Sequence, residues 1–153
     1  MCHAVVRNKL LATFKSLNEK DYEPILNSLA PSFEHFFSGT HALGGTRYTM
    51  KATRHWYERL RRVLPDLHFT VDHVTVSGWP WATTAFVEWR DKGQTLDGHA
   101  FNNQGVHVIR LRWGKVISVR IFCDTVVLAD CLQRNGTHGA PEALEPPIDE
   151  RVG

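Results

Sequence analysis

The chain has 153 residues, 42% hydrophobic and 22% charged, a composition that suits one globular domain and excludes a disordered one. Its 18 basic and 16 acidic residues leave a formal charge of +2, too balanced to hold a polyphosphate by charge alone, so nucleic acid is not an expected partner. No window approaches the roughly 18 apolar residues of a membrane span and no leader pattern opens the chain, so a soluble, cytoplasmic protein without a membrane partner is expected.

The first third reads as helical. Val6, Leu10, Phe14 and Leu17 recur at helical spacing, which predicts an amphipathic helix over residues 3 to 18. Asp21 is the expected N-cap of a shorter helix, with Pro24 in its first turn and Pro31 closing it. "SFEHFFSG", aromatic and bounded by Pro and Gly, predicts a strand, and "THALGGTR" a loop. A third helix is predicted from Thr49 to Leu64, with Met50, Trp56 or Tyr57, Leu60 and Leu64 on its inner side. Arg54, Glu58, Arg61 and Arg62 stand opposite at ion-pair spacing, and the run "RLRR" reads as a solvated face.

The period then changes to two. "LHFTVDHVTVSG", "WATTAFVEWRD", "GHAFNNQGVHVIRLRW" and "KVISVRIFCD" predict four strands, the last two joined through "WGK" as an antiparallel hairpin. In the first, Phe69 and Val71 share a face, with His73 by alternation, while Thr70, Asp72 and Val74 take the other. In the second, "FVEWR" leaves open whether Glu88 or Trp89 points inward. "TVVLADCLQR" predicts a closing helix, and from Asn135 a tail lies on the surface or on a partner. Helices followed by consecutive antiparallel strands predict an α+β domain whose helices cover one face of a curved sheet, with inward strand positions lining a pocket.

On the long strand, alternation turns Phe101, Asn103, Gly105, His107, Ile109 and Leu111 toward that pocket. His107 is either a core histidine tied to an acid or a group that shuttles protons or donates to a carbonyl oxygen. Asn103 either orients a substrate oxygen or is satisfied by backbone. His35 points inward with Phe33 and Phe37. His41 sits in a Gly-flanked loop near the entrance, where Tyr48 can also hydrogen-bond, and Trp56 with Trp81 would make a wall for a flat ligand. Nine histidines show no HxxxH, HxH or HExxH spacing, so no metal and no other cofactor is expected. Cys2, Cys123 and Cys131 form neither a CxxC pair nor an even framework and read as buried thiols of a reducing compartment.

The helix ending "WYERLRRVLPDL", the hairpin "VIRLRWGKVISVRIF" and the acid of "CDT" before the last helix, in this element order, resemble the SnoaL-like branch of the NTF2-like superfamily. The resemblance covers roughly residues 3 to 134, which divides the chain into one domain, 1–134, and a tail, 135–153. It implies an NTF2-like (cystatin-like) cone, a pocket for a small apolar compound, and a homodimer formed through the outer sheet face. At the place of the SnoaL-like cyclases' general base stands Asp124, with Phe122 beside it facing the cavity and Glu88 as a candidate second carboxylate. Where ketosteroid isomerases carry their base this chain has "EHFF", with His35 and Phe36 nearest. Phe14 stands where their first helix offers a tyrosine and cannot donate, so steroid isomerisation is not implied.

Asp124 therefore has two readings. It caps the following helix by accepting backbone N–H bonds, or it points into an apolar cavity and takes a proton from a carbon next to a carbonyl. Thr125 can serve as the cap instead, which frees Asp124, and the functional reading is the expectation. It amounts to cofactor-free isomerisation, cyclisation, dehydration or hydrolysis of a small carbonyl-bearing or cyclic compound. Asp124 would be the base, His107 and His35 proton donors or oxyanion partners, and Asn103 and Tyr48 orienting groups. The alternative is a non-catalytic ligand-binding or dimeric interaction module on the same fold.

Overall fold

A computed structural model describes residues 2–152. In chain order its elements are α1 (His3–Asn18), α2 (Glu23–Ser28), β1 (Leu29–Phe37), β2 (Gly45–Arg47), α3 (Met50–Val63), β3 (His68–Trp79), β4 (Ala82–Gln94), β5 (Ala100–Arg112), β6 (Lys115–Cys123) and α4 (Thr125–Thr137), with a 3-10 turn at Pro141–Leu144. The predicted stripe of α1 is the buried one, Val6, Leu10, Phe14 and Leu17. In α3 both Trp56 and Tyr57 are buried, whereas Met50 is exposed, and Thr49 caps the helix by accepting from Ala52 N at 3.2 Å.

Six strands form one curved, unclosed sheet in the order β2-β1-β6-β5-β4-β3. Neighbours from β3 through β6 are antiparallel, and β1 lies parallel to β6. The four helices pack on the concave side, so a single core lies between helices and sheet. This is the cone that the resemblance implies.

Three local expectations are corrected. Pro31 does not close α2, which ends at Ser28. It falls inside β1, where pairing with β6 shifts register between Leu29 and Glu34, a place in a strand that tolerates a missing donor. A bulge between Val71 and His73 makes Asp72 the extra residue of β3. The alternation flips there, so Val74 and Val76 join Phe69 and Val71 on the core while His73 faces water.

The basic run of α3 is not wholly solvated, because Arg59 is buried. Its Nη1 donates to the carbonyls of Ala42 and Pro146, both at 2.9 Å, and it pairs with Glu142 at 3.0 Å and Glu145 at 2.9 Å. Those partners belong to the C-terminal segment, which packs on α3 and α4, buries Ala143 and runs on to bond β2 through Asp149 and Glu150.

Candidate functional site in the cone

In β4 the inward phase is Val87, Trp89 and Asp91, so Glu88 and Arg90 face outward. In β5 the inward phase carries Asn103 and His107, as alternation predicts. Register sets Asp91 beside Asn103 and Val87 beside His107. Asp91, Asn103 and His107, with Cys123 of β6 and Tyr57 of α3, are polar side chains in the wall of a chamber of about 30 Å³, otherwise lined by Trp56, Leu60, Trp89 and similar side chains. That volume holds about one water molecule. The chamber adjoins a larger cleft of about 460 Å³ between α1, α2 and the ends of β5 and β6, and the two share Leu17, Tyr57 and His107. The cleft falls within the ~300–1,000 Å³ of small-molecule sites.

Asp91 is the acid of this site. Its Oδ1 is buried and has no hydrogen-bond partner among the described residues, and burial alone raises its pKa to about 7. A carboxyl at that value exchanges its proton near neutral pH and serves as either acid or base. The sequence contained a signal for it: once Trp89 faces inward, period two places Asp91 inward as well. Beside it Asn103 is held by backbone, donating from Nδ2 to the Asp124 carbonyl at 3.1 Å and accepting from Gln104 N at 2.8 Å. Cys123 stays a thiol, its pKa pushed up to about 12 by burial and by the Asp91 charge.

His107 accepts a hydrogen bond at Nδ1 from Trp89 Nε1 at 2.8 Å, which leaves the proton on Nε2. Burial lowers its pKa to about 3, so the ring is neutral, and it packs edge-on against Phe14 with centroids 5.0 Å apart. A neutral imidazole with one free N–H is a hydrogen-bond donor rather than a charge.

Other expected site residues lie elsewhere. Asp124 is exposed at the start of α4, where it accepts from Val126 N at 3.0 Å and Val127 N at 3.3 Å. It is the helix cap, and its carboxylate does not enter the cavity. His35 is fully buried but lies outside the chamber, behind Tyr57. Its Nδ1 accepts from Arg47 Nε at 3.1 Å and its Nε2 donates to Tyr57 Oη at 3.2 Å, and burial beside the Arg47 cation drives its pKa well down.

Phe122 and Glu88 lie on the outer sheet face, and Trp81 is half exposed at the β3–β4 turn. Tyr48 is exposed where β2 leads into α3, its backbone N–H held by Glu150. His41 is bound to Ser38 O at 2.9 Å within its own loop, and Phe101 packs beside Gly93 beyond the chamber. Trp56 and Phe14 do line the interior, Trp56 the chamber and Phe14 the cleft.

Sheet, cone and inward polar strand positions define an NTF2-like domain. The chain belongs to the SnoaL-like domain family, whose sequence profile matches residues 10–119. Among solved structures it is similar to TerC co-crystallised with polyporic acid, at 20% identity over 82% of this chain and 96% of that one, TM-score 0.69. It is also similar to a protein assigned as a SnoaL-like polyketide cyclase from Jannaschia sp. CCS1, at 18% identity over 81% and 88%, TM-score 0.67. An NTF2-like protein of unknown function from Burkholderia pseudomallei K96243 aligns at 16% identity over 82% and 95%, TM-score 0.73. At these identities the likeness establishes the fold. No curated protein sequence matches the chain.

No helix among the described residues is long and apolar enough to cross a membrane. They contain no cluster of three or more His, Cys, Asp or Glu side chains able to hold a metal ion.

Proposed function

We propose that the cone binds a small apolar carbonyl-bearing or cyclic compound and moves a proton on it without a cofactor. Asp91 is the acid/base group and His107 the neutral donor to an oxygen that gains negative charge. The observation that carries this is the Asp91 carboxyl, buried, unpartnered at Oδ1 and poised at about 7 in an apolar wall. Asp91 stands four positions from Val87, the register partner of His107, about 13 Å along the strand at ~3.3 Å per residue. The ligand class is in keeping with structural neighbours, one crystallised with polyporic acid and one assigned as a polyketide cyclase.

A second reading, a binding module without chemistry, draws on the small chamber around Asp91, which must widen before it admits more than about one water. One experiment separates the two. Cyclic ketones and quinones are incubated with the protein in D2O, exchange next to the carbonyl is followed by NMR, and binding is followed by quenching of tryptophan emission. Exchange that Asp91→Asn abolishes while binding persists supports the acid/base reading; binding with no exchange in the parent protein leaves the binding module. We also propose a homodimer formed through the outer sheet face, where Phe86 and Phe122 are exposed.

A further inference from the structure

Three tryptophans stand in water at one end of the cone. Trp79 and Trp81 flank the β3–β4 turn and Trp113 opens the β5–β6 turn, and they are 66%, 52% and 67% exposed. The rings of Trp79 and Trp81 are stacked, 5.7 Å apart and 4° from parallel, and Trp113 lies 6.0 Å from Trp81. Trp113 N donates to Pro80 O at 2.7 Å, which ties the two turns into one unit. Trp113 also holds φ at 51°, the left-handed region, where a bulky residue is out of place and Asn or Gly is at ease. The turn thus carries local strain while it presents an indole to solvent.

The segments that carry this cluster hold cations and no acid. His3 Nε2 bonds Gly78 O at 2.9 Å, which brings the start of α1 to the same end. Residues 3–13, 74–87 and 106–117, which build it, contain Arg7, Lys9, Arg110, Arg112 and Lys115 and no aspartate or glutamate. All five cations are exposed, and none makes an ion pair among the described residues.

We propose that this end docks on an anionic lipid surface. The indoles would lie in the headgroup layer, where a ring with an apolar body and one N–H donor is favoured, and the five cations against lipid phosphates. Charge selects this occupant over a second copy of the chain, which would bring the same five cations against themselves. The larger cleft supports it, because Lys9, Trp113 and Lys115 of this end stand on its lining. Docking would turn the cleft toward the phase in which an apolar ligand concentrates; that clause alone rests on the reading of the cone. Surface docking needs no spanning helix, so the membrane-free expectation from hydropathy does not bear on it.

The full chain, without ligand, is sedimented with vesicles of phosphatidylcholine alone and of phosphatidylcholine with phosphatidylserine. Expected are association with the mixed vesicles, a blue shift of tryptophan emission, and weakening by salt. Arg112→Gln and Lys115→Gln should each lower the association about fivefold. Trp81→Ser with Trp113→Asn should abolish it, and Asn suits the backbone at position 113, so the fold is kept. No association with mixed vesicles, equal association with neutral ones, or association untouched by the tryptophan substitutions overturns the proposal. So does a shift of the protein alone to a smaller species on those substitutions, which would assign the cluster to contact between copies. Because no ligand is present, a negative result leaves the chemistry of the cone standing, and a failed exchange assay leaves the docking standing.

Discussion

Ionising Asp91 costs about 4 kcal/mol more in the fold than in the unfolded chain, because its pKa stands at about 7 where an unfolded chain has about 3.9. Between those values the folded protein holds a proton that the unfolded chain has released, so this group's contribution to stability falls as pH rises through the window. His107 and His35 act in the opposite sense. The unfolded chain protonates both below about 6.5, whereas burial keeps them neutral in the fold, His107 down to about 3, so acidification removes stability. Asp91→Asn should therefore raise stability at pH 8 and steepen the loss between about pH 4 and 6.5, read by urea titration at each pH. An unchanged midpoint at pH 8 would mean that the carboxylate is hydrated enough to ionise freely. Asp124→Ala, by contrast, should cost about 1 kcal/mol through the lost cap of α4 and leave proton exchange unaltered.

At the scale of elements, strict alternation made β5 legible, because Phe101 through Leu111 put every strongly apolar side chain of one phase inward. β4 resisted for a definite reason. Phe86, Glu88 and Arg90 form one phase and Val87, Trp89 and Asp91 the other, and each mixes apolar and charged side chains. Only the pairing with β5 decides between them, and with that decision the acid of the cone passes from Asp124 to Asp91. The bulge at Asp72 was equally silent, since an extra residue breaks the count that alternation relies on. Helical periodicity likewise shows which face of α3 is polar but not what covers it, and Arg59 is covered by the C-terminal segment. Truncation after His138 would strip Arg59 of Glu142, Glu145 and the Pro146 carbonyl, and Arg47 of the Ile148 carbonyl. It should cost about 3–5 kcal/mol in thermal or urea unfolding, as expected when a buried cation loses its partners.

At the scale of the whole molecule, the proposed dimer makes a plain demand. Phe86→Glu with Phe122→Glu replaces the two exposed phenylalanines of the outer sheet face with charges, and sedimentation should then show a monomer whose circular dichroism is unchanged. The order of the sheet has a consequence of another kind. β1 pairs in parallel with β6, Leu29 against Val116 and Phe37 against Ile121, so the strand made early waits for one made late. On a ribosome adding ~5–20 residues per second, that wait is on the order of ten seconds. For that interval the nascent chain offers an unpaired strand edge with Phe33, Phe36 and Phe37 beside it, a natural place for a chaperone to bind during synthesis.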